Sequence, residues 1–441
     1  MSTTESAPAT SLKFELDWRI GKYPITREIG RGATSRVYLG RDSSADRDVA
    51  IKVFFYEDGL SEQDRKMARK GFVAEASLAG RLSHPHIASI YDAGSESDYS
   101  YVVMEYVEGT TLEAHCDLRN LLPIAKVVEI IFKCIRALDY AFQQGVIHRD
   151  IKPGNILYGK SGDIKVSDFG ASYLAHSADE TTQITGIGSP AYMAPEQIRL
   201  ETPTHQADIY SLGVVMYKLL TGRLPFNASN QLSLTYEILN VEPPAPSTFR
   251  PELPPILDEI CLKAMRKNPA ERFATWIDFG KELSKAFTSL RLAGETISDS
   301  EKFSELRNLE FFEDFDDVTL WEALRIGQWR DLDDGTAMIR EGETGESFFL
   351  LVNGEVEVTI SGKPINKITR GACFGELLYF ANVSNRRTTT ITAKGEVTVI
   401  EIKTRALRAA TDPCQVAFQK GFMRVLIDRL AQANRRLAEQ A

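Results

Sequence analysis

The stretch His148–Asn155 reads His-Arg-Asp-Ile-Lys-Pro-Gly-Asn, and Asp168 follows it at the start of Asp-Phe-Gly. Asp150 offers a carboxylate that can accept a proton, and Lys152 offers a cation two residues later. Asn155 and Asp168 carry side-chain oxygens, which magnesium prefers as ligands. Phosphoryl transfer from ATP needs such a set because the reaction depends mainly on positioning and charge neutralisation. The predicted catalytic residues are Asp150, Lys152, Asn155 and Asp168, the last two as metal ligands.

A glycine-rich segment upstream is suited to holding the phosphates of a nucleotide. It runs from Gly30 to Val37, where two early strands would meet, and its glycines let the backbone approach phosphate oxygens closely. Lys52 follows in the strand pattern Val49–Phe55, from which a lysine can reach the phosphates. Glu75 is the candidate carboxylate to hold this lysine, because the apolar residues around it keep helical spacing. Taken alone, Lys52 and Glu75 would be a surface pair contributing less than about 1 kcal/mol.

These motifs make the segment from Tyr23 to about Phe287 resemble a eukaryotic-type Ser/Thr protein kinase domain, most closely the bacterial members of the family. The resemblance implies that Asp150 accepts the substrate hydroxyl proton and that Lys152 marks a Ser/Thr kinase. It also implies that Met104 to Val107 is the hinge that binds adenine. The implied ATP-binding residues are Ile29, Gly30, Gly32, Val37, Ala50, Lys52, Glu75, Glu105, Val107 and Leu157. One element departs from the family pattern: Ser35 replaces the third glycine, so we expect slower or altered nucleotide handling at most.

The resemblance extends to the segment after the catalytic motifs. Gly188–Glu196 is similar to the end of a kinase activation segment, and the resemblance implies an ion pair between Glu196 and Arg272. It also places Asp208 and Gly213 on a buried helix. We expect autophosphorylation of the activation segment, whose phosphate Arg149 would bind; the alternative is a merely soluble loop. The candidate phosphorylation sites are Thr181, Thr182 and Thr185. The implied cofactors are ATP and Mg²⁺ or Mn²⁺, and the implied partners are protein substrates.

The composition is that of a globular protein and argues against two classes of binding partner. The chain has 441 residues, 43% of them hydrophobic, and a net charge of -9. A general nucleic-acid or membrane-surface binder would show a basic face instead, so we expect neither partner. No apolar run reaches the roughly 20 residues of a membrane helix. The five cysteines have no Cys-x-x-Cys spacing, which favours reduced thiols and a cytoplasmic protein.

The order of patterns along the chain predicts an α+β protein with two domains. We expect a disordered tail over residues 1–17, a bilobal kinase domain over 18–287, a linker over 288–302 and a second domain over 303–441. Strand signals recur in the second domain, and Asn353-Gly354 is typical of a hairpin between two of them. Such a series predicts a small β-barrel with flanking helices. A final helix from about Asp412 to Ala438 carries an apolar stripe, formed by Phe418, Phe422, Leu426, Leu430, Ala433 and Leu437.

A second set of candidate binding residues lies within the predicted barrel. Gly375 and Glu376 open a short helix, whose amides could bind a phosphate while Glu376 binds a ribose hydroxyl. Arg387, or Arg386 as the fallback, could bind the same phosphate. Residues from about Phe303 to Leu437 resemble a cyclic-nucleotide-binding domain, which implies cAMP or cGMP as ligand and Phe418 or Phe422 as a cap on the base. The candidate residues are Gly375, Glu376, Leu377, Arg386, Arg387 and Thr388.

The sequence therefore predicts an ATP-dependent Ser/Thr protein kinase that a cyclic nucleotide regulates through the C-terminal domain. A hydroxyl residue at Thr388 is associated with cGMP in the family, though not in every branch, so the nucleotide stays open. The alternative is a kinase-fold scaffold whose barrel binds no nucleotide and serves as an interaction or dimerisation module. The apolar stripe on the last helix also leaves two interpretations, packing against the barrel or the seam of a homodimer.

Overall fold

The structure is a computed structural model that describes residues 18–32, 35–56, 62–169, 190–228, 230–291, 299–380 and 386–439. The tail predicted over residues 1–17 lies outside them. The described residues form two compact units. The first contains those up to Leu121 together with Ala137–Pro244 and Cys261–Ala274. The second contains Leu122–Arg136, Ala245–Ile260 and the residues from Thr275 onward. The domain boundaries given above follow the order of the chain and stay predictions.

The first unit contains an antiparallel sheet with the strand order β1-β2-β3-β4-β6-β5. The strands are β1 (Arg19–Ile20), β2 (Tyr23–Arg31), β3 (Ser35–Asp42), β4 (Arg47–Phe55), β5 (Ile90–Ser95) and β6 (Tyr99–Glu105). Side chains of β4 alternate between two apolar clusters because successive residues of a strand face opposite sides: Val49 and Ile51 enter one cluster, Ala50 the other. Helix α1 (Glu62–Ala79) adds Phe72 to the second cluster. The strand predicted over Val49–Phe55 is confirmed.

Helices dominate the described chain from residue 124 to residue 291. They are α2 (Ile124–Gln143), α3 (Pro195–Ile198), α4 (His205–Thr221), α5 (Gln231–Asn240), α6 (Pro255–Ala264) and α7 (Trp276–Arg291). The strands β7 (Gly109–Thr111), β8 (Ile156–Gly159) and β9 (Ile164–Val166) form a small sheet in the first unit. Helix α4 is buried along nearly its whole length, and Gly213 allows close packing, since a Cβ there would lie 2.8 Å from the Ala264 Cβ. The predicted order, β-rich and then helical, is confirmed.

The second unit contains an antiparallel sheet built around one apolar core. Its strands are β10 (Gly327–Leu332), β11 (Ala337–Ile339), β12 (Ser347–Ile360), β13 (Lys363–Thr369), β14 (Cys373–Phe374) and β15 (Thr390–Lys403). The long strands β12 and β15 pair with each other, and each takes different partners at its two ends. Both ends still contribute to the same core, for example Phe349 and Val358 from β12 with Ile391 and Val399 from β15. This arrangement agrees with the predicted small β-barrel.

The hairpin predicted at Asn353-Gly354 is wrong. Strand β12 continues through both residues and stays paired with β15 on either side of them. The pairing register shifts at Asn353, and Gly354 has a φ of 91°. A glycine with positive φ serves a β-bulge as well as a turn, so the dipeptide alone cannot distinguish the two. The bulge bends the strand while its ladder of hydrogen bonds continues.

The remaining helices flank this sheet. They are α8 (Asp299–Arg307), α9 (Asp317–Ile326), α10 (Leu377–Phe380), α11 (Thr404–Arg408) and α12 (Asp412–Glu439). Helices α7 and α8 occupy both ends of the segment that we predicted as a linker, and residues 292–298 lie outside the described chain. The apolar stripe predicted on α12 is correct for Phe418 and Phe422, which are fully buried, and wrong for Leu430, which is 63% exposed.

Two predictions about the class of protein can be compared with the structure. All five cysteines are buried and none forms a disulfide, as expected from their spacing. Among the described residues, no helix combines the length and apolar character that crossing a bilayer would require.

Candidate functional site

The glycine-rich segment forms the turn between β2 and β3. Gly30 pairs with Val37 across the two strands, and the Gly32 amide donates to the Ser35 carbonyl at 2.8 Å. Ala33 and Thr34, at the tip, lie outside the described residues. The next strand, β4, places Lys52 directly opposite Val37. The structure therefore places the predicted phosphate-binding residues Gly30 of β2 and Lys52 of β4 on either side of Val37, which lies on the strand β3 between them.

Lys52 forms an ion pair with Asp168. The Lys52 Nζ lies 2.8 Å from the Asp168 Oδ1, and the two side chains are only 15% and 13% exposed. Burial raises the pKa of Asp168, but the Lys52 charge and hydrogen bond, with smaller effects of His148 and Lys152, outweigh it and lower the pKa overall. Asp168 is therefore an ionised carboxylate at neutral pH. Glu75 lies on helix α1 as predicted, and its side chain is not among those that the structure describes.

The catalytic loop joins Asp150 to both of its predicted neighbours. The Lys152 Nζ donates to the Asp150 Oδ2 at 2.7 Å. The Asn155 Nδ2 donates to the Asp150 carbonyl at 2.8 Å and to the Asp150 Oδ2 at 3.0 Å. These bonds use the amide nitrogen of Asn155, so its amide oxygen is directed elsewhere and suits a cation. Lys152 and Asp150 stay partly exposed, at 27% and 31%, as a site for an incoming substrate requires.

The backbone of this loop is held in an unusual conformation by Asp208. Arg149 and Asp168 both have a φ of 67°, a left-handed conformation that residues other than glycine seldom adopt. The buried carboxylate of Asp208, on helix α4, accepts hydrogen bonds from the backbone amides of His148 and Arg149 at 2.8 and 2.7 Å. The His148 Nε2 lies 2.8 Å from the Ser167 carbonyl, which connects the loop to the residue before Asp168. These contacts offset the strain and fix the separation of Asp150 and Asp168.

An apolar cluster beside Lys52 contains three of the predicted ATP-binding residues. Ile29, Val37 and Ala50 pack in it together with Met104, which precedes the hinge. Leu157 lies on β8, where it pairs with Thr111 and Lys165. The Glu105 side chain points away from this cluster toward a second strand: its Oε2 is 3.0 Å from the Lys165 Nζ. Only main-chain groups of Glu105 and Val107 are therefore suited to adenine, as the resemblance implied.

The ion pair between Glu196 and Arg272 is confirmed. Both guanidinium Nη atoms of Arg272 donate to Glu196 at 2.7 Å, in a bidentate arrangement. The Arg272 side chain is 0% exposed and that of Glu196 is 6% exposed. Arg272 also donates to the carbonyls of Gln206, Arg266 and Lys267. The pair thus fixes the end of the activation segment, whereas Thr181, Thr182 and Thr185 lie outside the described residues.

A second candidate site lies in the barrel, where Arg387 contacts Gly375. The Arg387 Nη2 donates to the Ser347 carbonyl at 2.5 Å, and its Nη1 lies 3.5 Å from the Gly375 carbonyl. A Cβ on Gly345 would overlap the guanidinium, so this glycine makes room for it. Burial lowers the pKa of Arg387 and only the Glu401 charge opposes that change. An anion here would supply a counter-charge to a half-buried cation.

Glu376 is paired with an arginine that the sequence analysis did not identify. The Arg429 Nη1, on helix α12, donates to the Glu376 Oε1 at 2.7 Å, and its Nη2 donates to the Cys373 carbonyl. The Glu376 side chain is 2% exposed and that of Arg429 is 41% exposed. The two residues are far apart in the sequence, so no local motif marks the pair. The carboxylate that we predicted to bind a ribose hydroxyl is covered by Arg429 in this structure.

The other candidate residues of the barrel are placed less favourably. Arg386 and Thr388 are exposed, so Arg387 is the better candidate for binding a phosphate. Leu377 is 58% exposed on α10. The predicted cap on the base is wrong: Phe418 and Phe422 are fully buried among Phe311, Phe312, Phe315 and Phe348, because their helix face packs into an aromatic cluster.

Each of the two candidate sites lies in a region of the chain that matches a protein-family model. The family model described as the protein kinase domain matches residues 23–278, more than half of the chain. The chain belongs to the protein kinase family. A second family model, described as the cyclic nucleotide-binding domain, matches residues 329–412. The first match contains every predicted catalytic residue, and the second contains Gly375, Glu376 and Arg387 but ends before Arg429.

The kinase region also has named bacterial relatives. It is 38% identical over 287 residues to the serine/threonine-protein kinase PrkC of Bacillus subtilis. The aligned region covers 65% of this chain and 44% of the relative. It is 37% identical over 274 residues to the probable serine/threonine-protein kinase PknB of Bifidobacterium longum, covering 60% and 39%. It is 35% identical over 271 residues to the serine/threonine-protein kinase PknL of Mycobacterium tuberculosis, covering 62% and 67%. The chain thus spans less than half of the first two relatives.

Proposed function

We propose that this protein is an ATP-dependent Ser/Thr protein kinase that transfers the γ-phosphoryl group of ATP to hydroxyl groups of proteins. One observation carries the proposal. Asp150, Asn155 and Lys152 are joined by hydrogen bonds, and Asp168 is ionised beside Lys52. The names of the bacterial relatives support the same activity.

The residues present fit a magnesium ion and a nucleotide. The oxygens of Asn155 and Asp168 form a donor set of the type that magnesium prefers, completed by water and by the phosphates of the substrate. Among the described residues, no cluster of three or more His, Cys, Asp or Glu side chains could hold a metal ion. When bound, magnesium would neutralise charge on the phosphates. The cluster of Ile29, Val37 and Ala50 provides an apolar surface for the adenine ring.

The protein's own groups then have distinct tasks. Asp150 orients the substrate hydroxyl and accepts its proton, and Lys152, at 2.7 Å, stabilises the charge on that carboxylate and on the transferred group. Lys52 positions the phosphates while its ion pair with Asp168 fixes its direction. Asp208 holds the loop so that these distances do not change during the reaction.

The test is phosphate transfer from radiolabelled ATP to peptides with a central Ser or Thr. Lys52→Met and Asp150→Asn should each lower kcat at least about 100-fold, because each removes a group that acts in the transition state. Lys160→Met is the matched control: the Lys160 side chain is 71% exposed and forms an ion pair with the exposed Glu108. Wild-type activity in either site variant would remove the proposal. Phosphopeptide mapping of the same samples tests phosphorylation of Thr181, Thr182 and Thr185.

We further propose that the C-terminal region binds cAMP or cGMP and thereby regulates the kinase. The supporting observation is the half-buried Arg387, which has no ion pair with a described carboxylate and lies against Gly375. Calorimetric titration of the full chain with each nucleotide tests binding, and Arg387→Ala should abolish it while the exposed Arg386→Ala retains it. Peptide phosphorylation with and without the nucleotide tests regulation.

One observation favours a second candidate for the barrel, that of an interaction module without a ligand. Glu376 is already paired with Arg429 and is almost fully buried. Absence of heat with both nucleotides would support this candidate and leave the kinase proposal untouched. We also propose a cytoplasmic location, protein substrates and homodimerisation, and we expect no nucleic-acid partner.

A further inference from the structure

A half-buried group of three charges joins helix α2 to the helices α8 and α9. The Arg136 Nη2 donates to the Asp317 Oδ1, and the Arg307 Nη2 donates to the same oxygen at 2.6 Å. The side chains of Arg136 and Asp317 are each 12% exposed. All three residues belong to the second compact unit. The Arg307 side chain is 31% exposed. Because Asp317 is shared between two arginines, its removal would leave two partly buried cations without their common counter-charge.

Aromatic side chains surround this charge group. Phe303 of α8 stacks on Trp321 of α9 with ring centroids 4.5 Å apart, and Phe132 of α2 packs edge-on against Phe303 at 6.1 Å. The Arg136 guanidinium lies over the Phe303 ring at 5.3 Å. The ring of Trp321 receives a second cation, Lys133, at 6.0 Å. Helix α2 thus presents one face, defined here as the α2 face, formed by Phe132, Lys133 and Arg136.

Helix α9 and the segment between α8 and α9 contact helix α12 and the residue before it. The Glu322 carboxylate of α9 accepts hydrogen bonds from the Thr411 amide at 2.9 Å and from the Thr411 hydroxyl at 2.6 Å. Thr411 directly precedes α12. Between α8 and α9, Phe311 contacts Phe418 and Phe422 of α12 with ring centroids 5.9 and 5.6 Å apart. Helix α12 also carries Arg429, which covers Glu376. Packed contacts therefore run without interruption from the candidate nucleotide site to the α2 face.

We propose that the α2 face is the surface through which the ligand state of the barrel controls phosphoryl transfer, with Asp317 as its central contact. This inference rests on the proposed function. Nucleotide binding at Glu376 displaces Arg429 and shifts α12. Helix α9 follows because it contacts the start of α12, and α8 moves with α9, on which it is packed. The shift then reaches α2, which continues to Gln143 just before the catalytic loop at His148–Asn155. A ligand acts this way only if it binds the two arrangements with different affinity.

The experiment compares hydrogen exchange and activity of full-length variants. Asp317→Asn keeps the side-chain shape and removes the shared charge, and Arg136→Met removes the cation from the α2 face. Arg250→Met is the matched control, since Arg250 is 18% exposed, pairs with Glu252 in the same unit and lies outside this network. Without nucleotide, we expect amides of residues 124–143 and 148–155 to exchange about tenfold faster in the first two variants only.

With cAMP or cGMP at saturation, a coupled wild-type enzyme should change its rate about 5- to 150-fold. In Asp317→Asn and Arg136→Met the ratio of the rates with and without nucleotide should fall close to one, although both variants still bind the nucleotide. Faster exchange confined to α8 and α9, or a retained wild-type ratio, would overturn the inference. If wild type binds no nucleotide, the proposed regulation fails, and exchange in residues 148–155 alone decides whether the α2 face is coupled to the catalytic loop.

Discussion

Replacement of Arg429 by alanine should tighten the binding of a cyclic nucleotide. Glu376 is the predicted ribose ligand, yet its side chain is 2% exposed and its Oε1 accepts a 2.7 Å bond from Arg429. A nucleotide can use this carboxylate only after the arginine has moved. The free energy of breaking the pair is therefore subtracted from the observed affinity of the wild-type protein.

The size of that subtraction follows from the exposure of the pair. A hydrogen bond to a charged group contributes about 1.5–3 kcal/mol when buried. Because the Arg429 side chain is 41% exposed, solvent screens the interaction, and we take about 1 kcal/mol. That value corresponds to about a fivefold change in Kd. Removing Arg429 also leaves a buried carboxylate without a counter-charge in the free protein, which acts in the same direction.

Calorimetric titration of the full chain with cAMP and cGMP measures this change. Arg429→Ala should lower Kd about fivefold, and Arg429→Lys, which keeps a cation, should change it less. Arg424→Ala is the control on the same helix, since Arg424 pairs with Asp314 away from Glu376. Weaker binding by Arg429→Ala would refute the reasoning and would mean that Arg429 contacts the bound nucleotide.

Three further predictions concern the buried charges and the packing of the barrel site. Arg272→Met should destabilise the protein by about 3–5 kcal/mol because it leaves the buried Glu196 carboxylate without a counter-charge. Adding Glu196→Gln should recover part of the lost melting temperature. Equal melting temperatures of the wild type and the single variant would contradict this. The pKa of Asp168 is lowered, so its stabilising effect is complete above about pH 3.9 and is lost only as the pH falls through the lower folded pKa. Thermal unfolding between pH 8 and 5 should show no loss from this group in wild type. In Lys52→Met the main counter-charge is removed and the pKa of Asp168 should rise, so the variant should gain stability relative to wild type as the pH falls; an unchanged difference in melting temperature across this range would contradict it. Gly345→Ala should displace the Arg387 guanidinium and weaken nucleotide binding about tenfold or more. Kinase activity without nucleotide should stay unchanged. An unaltered calorimetric affinity would refute a role for the Arg387 position in binding.

The kinase half of the fold could be predicted from the sequence because its determinants are local. The strand β4 is marked within nine residues by its β-branched and aromatic side chains, and the predicted catalytic residues from Asp150 to Asn155 fall within one loop. The contact of Lys52 with Asp168 was not predicted, since it joins residues of different motifs. Nor could the sequence show that Asp208 accepts two consecutive amides, because only the fold brings helix α4 to the loop.

The barrel half was less predictable because its site depends on tertiary pairing. Asn353-Gly354 carries the same backbone preference in a hairpin and in a bulge, and only the pairing of β12 with β15 distinguishes them. Phe418 has the right spacing for a lid, but its burial depends on Phe311, more than a hundred residues earlier. The pair of Glu376 with Arg429 lies 53 residues apart, beyond the reach of any periodicity.

The anchoring of the catalytic loop by Asp208 has a consequence for synthesis of the chain. Both amides that this carboxylate holds precede it by about sixty residues. A nascent polypeptide emerging from the ribosome therefore carries every catalytic side chain before it can shape the loop that arranges them. A chain that ended ahead of helix α4 would contain Asp150, Asn155 and Asp168 but would lack the carboxylate that holds their loop, and we expect it to be inactive.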